Sequence, residues 1–107
     1  MSFIDLDKVY EDGLTLFEKS ILDRYLNRIE KFCFEKRKNM YKKEHYFNYI
    51  DQHNMEALYC CIKNGVDSNK EDTRIDTKRN GLMLASYSNR MKIVRMYVEI
   101  FNVDINK

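Results

Sequence analysis

Apolar residues recur along this chain at intervals of three, four and seven positions. Leu14, Phe17, Ile21 and Leu22 make one such stripe, and Leu26, Ile29 and Phe32 or Cys33 make a second. Met55, Leu58, Cys61 and Ile62 form a third, and Ile93, Met96, Tyr97, Ile100 and Phe101 a fourth. This spacing lines side chains up on one face of a helix. Alternating runs of Val, Ile and Thr, the mark of strands, are scarce. The pattern predicts an all-α protein built of short helices.

The polar positions between the stripes predict where helices stop. Asp12-Gly13 predicts a turn ahead of the first. Asn64-Gly65 predicts a helix end, with Gly65 in the left-handed conformation that follows a helix C-terminus. Residues 67–79 are polar apart from Ile75 and predict a long loop. Asn80 is placed to accept a hydrogen bond from a free N–H of the next helix, which puts Gly81 in its first turn. Proline is absent and glycine occurs three times, which leaves these polar pairs as the punctuation.

The third and fourth stripes are copies of one pattern. Met55 aligns with Met91, 36 residues on, Ala57-Leu58 with Ile93-Val94, and Cys60-Cys61-Ile62 with Met96-Tyr97-Val98. The endings Val66-Asp67-Ser68-Asn69 and Val103-Asp104-Ile105-Asn106 also coincide, once one extra residue near Phe101 is allowed for. Such a pattern resembles the ankyrin repeat, a unit of roughly 33 residues made of a turn, a short helix, a longer helix and a loop. Asn80-Gly81-Leu82-Met83 stands at the start of the family's motif, Ala85 at its small residue and Asn89-Arg90-Met91 at its break. Asp104 and Asn106 stand as the turn residues that close it. The proline and histidine usual at the start of a unit are missing, and large Tyr49 occupies the small position of the preceding unit.

The resemblance implies one domain over residues 1–107, a short α-solenoid stack of antiparallel helix pairs. Residues 12–44 are a first helix pair with a basic linker, with Ser20 at the small position. Residues 45–69 are a second unit, and residues 70–107 a third with an extended loop. In that family the loops and first helices form a concave face for a protein partner, which makes Lys70, Glu71, Asp72, Arg74 and Arg79 the candidate binding residues. A pair of short helices cannot bury its apolar face alone, so each unit needs a neighbour. The last helix has only Lys92, Arg95 and Glu99 among its apolar residues. Its face bearing some of Met96, Ile100 and Phe101 is therefore expected to be covered by further repeats, a second copy or a partner.

Composition narrows the function classes. With 44% hydrophobic and 34% charged residues, the chain reads as an ordinary globular domain. No apolar run approaches the roughly 20 residues of a membrane helix. The acidic start lacks the pattern of a signal peptide, so an intracellular protein without membrane insertion is expected. Three cysteines, two of them adjacent, make a poor disulfide framework and suit small buried hydrophobes. No metal or cofactor is expected, because no Cys-x-x-Cys or His-Glu-x-x-His spacing occurs. His45 and His53 read as surface or break residues, and acidic residues before helices suit the positive helix N-terminus. No catalytic residue or small-molecule substrate is indicated, so a non-catalytic protein–protein interaction module is expected.

Charge adds one alternative. The net charge is only +2, but Lys36, Arg37, Lys38, Lys42 and Lys43 crowd around Tyr41. A small helical domain that binds nucleic-acid phosphates through this stretch is the competing reading.

Overall fold

The computed structural model describes residues 5–74 and 79–103. The expected turn residues Asp104 and Asn106, and Ile75 in the loop, lie outside them. Thr15 opens the first helix, α1 (Leu16–Leu22), through a capping box: its hydroxyl accepts the Glu18 N–H and the Glu18 carboxylate accepts the Thr15 N–H. Asp23 ends α1 and caps a 3-10 turn, Arg24–Leu26, that leads into α2 (Asn27–Arg37). A connector with a second 3-10 turn at Lys43–His45 leads to α3 (Tyr46–Asp51) and α4 (Met55–Lys63). The loop follows, then α5 (Gly81–Tyr87) and α6 (Met91–Arg95), which runs on as a π turn over Met96–Ile100. Among the described residues there is no strand, only two isolated antiparallel bridges. The all-α expectation holds.

The second and third pairs repeat at the level of the backbone. α3 stops because His53 turns left-handed at φ 58°, and α5 stops because Asn89 does so at φ 56°. Asn54 N–H then donates to Tyr49 C=O, and 36 positions on, Arg90 N–H donates to Ala85 C=O, each at 2.9 Å. His53 bonds Ile50 and Asn89 bonds Ser86 in the same way. This is the Schellman stop, which satisfies the last carbonyls of a helix. α4 ends likewise at Gly65, φ 110°, as its sequence predicts. Asn54 and Asn80 cap the helices that follow them.

The extra residue near Phe101 has a definite form. Val66 N–H reaches back five residues to Cys61, whereas Val103 N–H reaches back six, to Tyr97. The difference is taken up in the π turn, where Phe101 N–H bonds Met96 C=O. A π turn is an α-helix with one residue inserted. Asn102 still turns left-handed, and Val103 still enters the core.

One apolar cluster joins all three pairs. α3 lies beside α5, and the buried hydroxyls of Tyr46 and Tyr97 hydrogen-bond to each other. Ala85 and Ser20 are buried, while Tyr49 is half-buried. In α2 it is Cys33 that faces the core, and Phe32 is exposed. All three cysteines are free and buried, and burial pushes the Cys60 thiol up to about 12 and that of Cys61 to about 11.

Two expectations need correction. The first pair does not simply precede the second in a row: α1 packs against both α4 and the π turn, so the first pair touches the third. The face of Met96, Ile100 and Phe101 is consequently covered from within the chain. Met96 is fully buried, and the half-buried Phe101 ring lies 5.6 Å from that of Tyr59, which also meets Phe17 of α1. Among the described residues no helix is long and apolar enough to cross a membrane.

Candidate interaction surface

The loop between the second and third pairs is pinned at both ends. Asp67 holds its first turn by accepting the Asn69 N–H at 2.9 Å. Further on, Glu71 and Asn80 form an antiparallel bridge, and Asp72 N–H donates to Arg79 C=O at 2.7 Å. Asp72 is only 2% exposed although it sits in a polar segment. Arg74 explains this. Its guanidinium grips the Asp72 carboxylate with two N–H groups at 2.9 and 3.0 Å. From there it reaches across to α3, donating to Asn48 at 2.7 Å and to Asp51 at 2.9 Å, above the Phe47 ring. These hydrogen bonds hold the Asp72 carboxyl below its ordinary value of 3.8.

The five loop candidates therefore divide. Asp72 and Arg74 form a clamp that fastens the loop to α3. Arg79 lies 4.1 Å over the exposed ring of Tyr87 at the end of α5. Lys70 and Glu71 are exposed, as are Asn48 of α3, Gln52 just after it and Ser86 of α5. These exposed residues carry mixed charge and one large aromatic ring, on α3, on α5 and on the loop that Arg74 ties to α3.

The charges of the basic stretch are partly taken up by neighbours. Arg37 pairs with Asp7 at 2.9 Å, Lys38 with Glu35 at 3.0 Å, and Lys36 lies over the Phe32 ring. Lys42 and Lys43 are exposed.

A polar joint that the sequence does not announce holds the first pair to the other two. The half-buried Glu56 of α4 accepts the Thr15 hydroxyl at 2.6 Å and the Tyr41 hydroxyl at 3.3 Å. Beside it, buried Glu18 of α1 pairs with Lys92 of α6. These groups line a cleft of about 360 Å³ together with Arg37 and His53. Burial raises the Glu56 carboxyl above its ordinary value, against the pull of Thr15 and Arg37. Its polar groups are bonded to one another, so the cleft works as a fastening between helices. Thr15 and Glu56 stand 41 residues apart, and no local spacing signals the contact.

No protein-family model, curated protein or solved structure matches the chain. The reading of the face rests on its geometry. Mixed in charge and partly aromatic, with its loop tied to α3 by Arg74, it suits recognition by complementary shape and charge.

Proposed function

We propose that the chain is a non-catalytic protein-interaction module of ankyrin-like helix pairs, which binds a protein partner through the face of α3, α5 and the loop between them. The observation that carries this reading is the 36-residue repetition of helix stops, with a clamped loop between the two copies. Such a frame presents Lys70, Glu71, Arg79 and Tyr87 with little ordering left to do on binding, which is how rigid surfaces gain affinity. Opposite charges side by side on the loop would select partners more than raise affinity. Asp72 and Arg74 would act by holding the loop and not by touching the partner.

Affinity capture with the intact chain tests this, against a variant carrying Lys70→Glu, Glu71→Lys and Tyr87→Ala. The expected result is a protein retained at raised salt by the natural chain and lost by the variant, with both melting at the same temperature. Retention by both would overturn the assignment of the face. If nucleic acid is captured instead, its binding should fall steeply with salt and with Lys42→Ala/Lys43→Ala, and the basic-stretch reading would take over.

A further inference from the structure

Most of the described arginines have an acceptor within the chain. Arg37, Arg74 and Arg95 donate to carboxylates, and Arg24 and Arg90 to main-chain carbonyls. Arg28 and Arg79 are the exceptions among the described residues. Arg28 stands in solvent on the outside of α2. Arg79 is different, because it is half-buried and its guanidinium carbon lies 4.1 Å from the centre of the Tyr87 ring. That is the closest cation–ring contact among the described residues. The obvious acceptor for Arg79 would be Asp72, whose N–H donates to the Arg79 C=O at 2.7 Å. Arg74 has already taken that carboxylate, and Asp72 is buried beneath it. The guanidinium of Arg79 is thus held by a ring and left without an acceptor.

We propose that Arg79 and Tyr87 form a receptor for a carboxylate on an acidic segment of the partner protein. The inference rests on the reading of the α3 and α5 face and names the chemistry which that face recognises. A guanidinium lying on an aromatic ring keeps its rim of N–H donors free, and that planar fork matches a carboxylate through two parallel hydrogen bonds. The support on both sides is fixed. Arg79 leaves the bridge between Glu71 and Asn80, Asn80 is buried and caps α5, and Tyr87 is the last residue of that helix. A side chain already placed loses less freedom on binding than one that must first be ordered. Tyr87 itself is 74% exposed, so a partner has open access to the pair. The exposed neighbours Lys70 and Glu71 offset each other, which leaves the charge of Arg79 to match a single carboxylate.

NMR of the isotope-labelled intact chain tests this through the arginine Nε–H and tyrosine ring signals. The probes are acetyl-Gly-Glu-Gly-amide, its Gln counterpart, and acetyl-Gly-Gly with a free C-terminus, each added at constant ionic strength. The Glu peptide should move the Arg79 and Tyr87 signals, and the Gln peptide should leave them still. An equal response to the free C-terminus assigns the receptor to any carboxylate; a response to the Glu peptide alone assigns it to acidic side chains. Arg79→Lys keeps the charge but loses the fork, and should weaken binding on the order of fivefold. Tyr87→Leu should weaken it too, whereas Tyr87→Phe should bind as the natural chain does, and all three should melt at the natural temperature. Undiminished binding by Arg79→Lys, shifts at Arg79 no larger than those at Arg28, an equal response to added chloride, or a stronger one to inorganic phosphate would each overturn the proposal. The two readings fail separately. Peptide binding by a chain that captures no protein would remove the interaction module and keep the receptor, whereas undiminished protein capture by Arg79→Gln would keep the face and remove the receptor.

Discussion

Replacing Gly81 by alanine places a methyl group where the protein has no room. The new Cβ would overlap the Tyr97 hydroxyl and approach Ile50 Cδ1 to 3.1 Å. Neither neighbour can give way easily: Tyr97 and Ile50 are both fully buried, and the Tyr97 hydroxyl is bonded to that of Tyr46. Overpacking of this kind costs about 1–3 kcal/mol, and parting the two hydroxyls adds about 1–3 kcal/mol if they stay unsatisfied. Against this, alanine is better than glycine in a helix by roughly 0.5–1 kcal/mol. The net expectation is a loss of about 2 kcal/mol, which in a domain of this size lowers the melting temperature by about 8–16 °C. Circular dichroism melts of Gly81→Ala measure this directly. A double-mutant cycle with Tyr97→Phe tests the cause, because phenylalanine lacks the hydroxyl, the nearer of the two Tyr97 atoms that the methyl meets, while keeping Cζ at 2.9 Å; the two changes together should cost less than their sum by at least about 0.5 kcal/mol. A Gly81→Ala protein that melts at or above the natural one would mean that helix propensity dominates. The packing of α5 on the Tyr46–Tyr97 pair would then be wrong.

The loop clamp, the thiols and the polar joint give three more expectations. Arg74→Ala should cost about 1–3 kcal/mol by stranding the buried Asp72 carboxylate. Because Arg74 holds the Asp72 pKa down, this contribution is full above the ordinary carboxyl value and is lost as pH falls through the folded one, so the gap in melting temperature should narrow below about pH 4; a gap constant from neutral to strongly acid pH would refute the clamp. Cys33, Cys60 and Cys61 should react with a thiol reagent on the order of 100-fold more slowly in the native protein than in denaturant, and equal rates would place them at the surface. Glu56→Gln should melt higher than the natural chain at neutral pH, since burial raises the Glu56 pKa and the charged form is the disfavoured one; the advantage should fade as pH falls to where Glu56 is protonated in both states, and a lower melting temperature at pH 7 would count against it.

Much of the framework is written in local spacing. The apolar stripes mark the helices, Asn64-Gly65 and Asn80 mark a stop and a start, and the alignment of Met55 with Met91 marks the repeat. Each of these depends on residues within a turn or two of one another. Other features depend on distant chain segments and leave no such trace. Phe32 and Cys33 differ by about 100° around the helix, so a stripe two turns long fits either. Asp72 looks like a solvated loop carboxylate until Arg74 and α3 close around it. Glu56 reads as the acidic first turn of α4, while its partners come from Thr15 and Tyr41. The position of α1 across α4 and the π turn hangs on such contacts, and the cover of Met96 and Phe101 follows from it.

The π turn at Met96–Ile100 gives the last helix pair one residue of slack. In a plain α-helix an added residue would swing everything beyond it by about 100° and pull Val103 out of register. Here the wider turn swallows the addition, so the left-handed stop at Asn102 and the seat of Val103 stay as they are in the shorter copy at Gly65 and Val66. Length at this point is thereby uncoupled from register. Removing one residue from the turn should tighten it into ordinary helix with the ending unmoved, whereas the same deletion inside α4, which has no such reserve, would throw its core face out of phase.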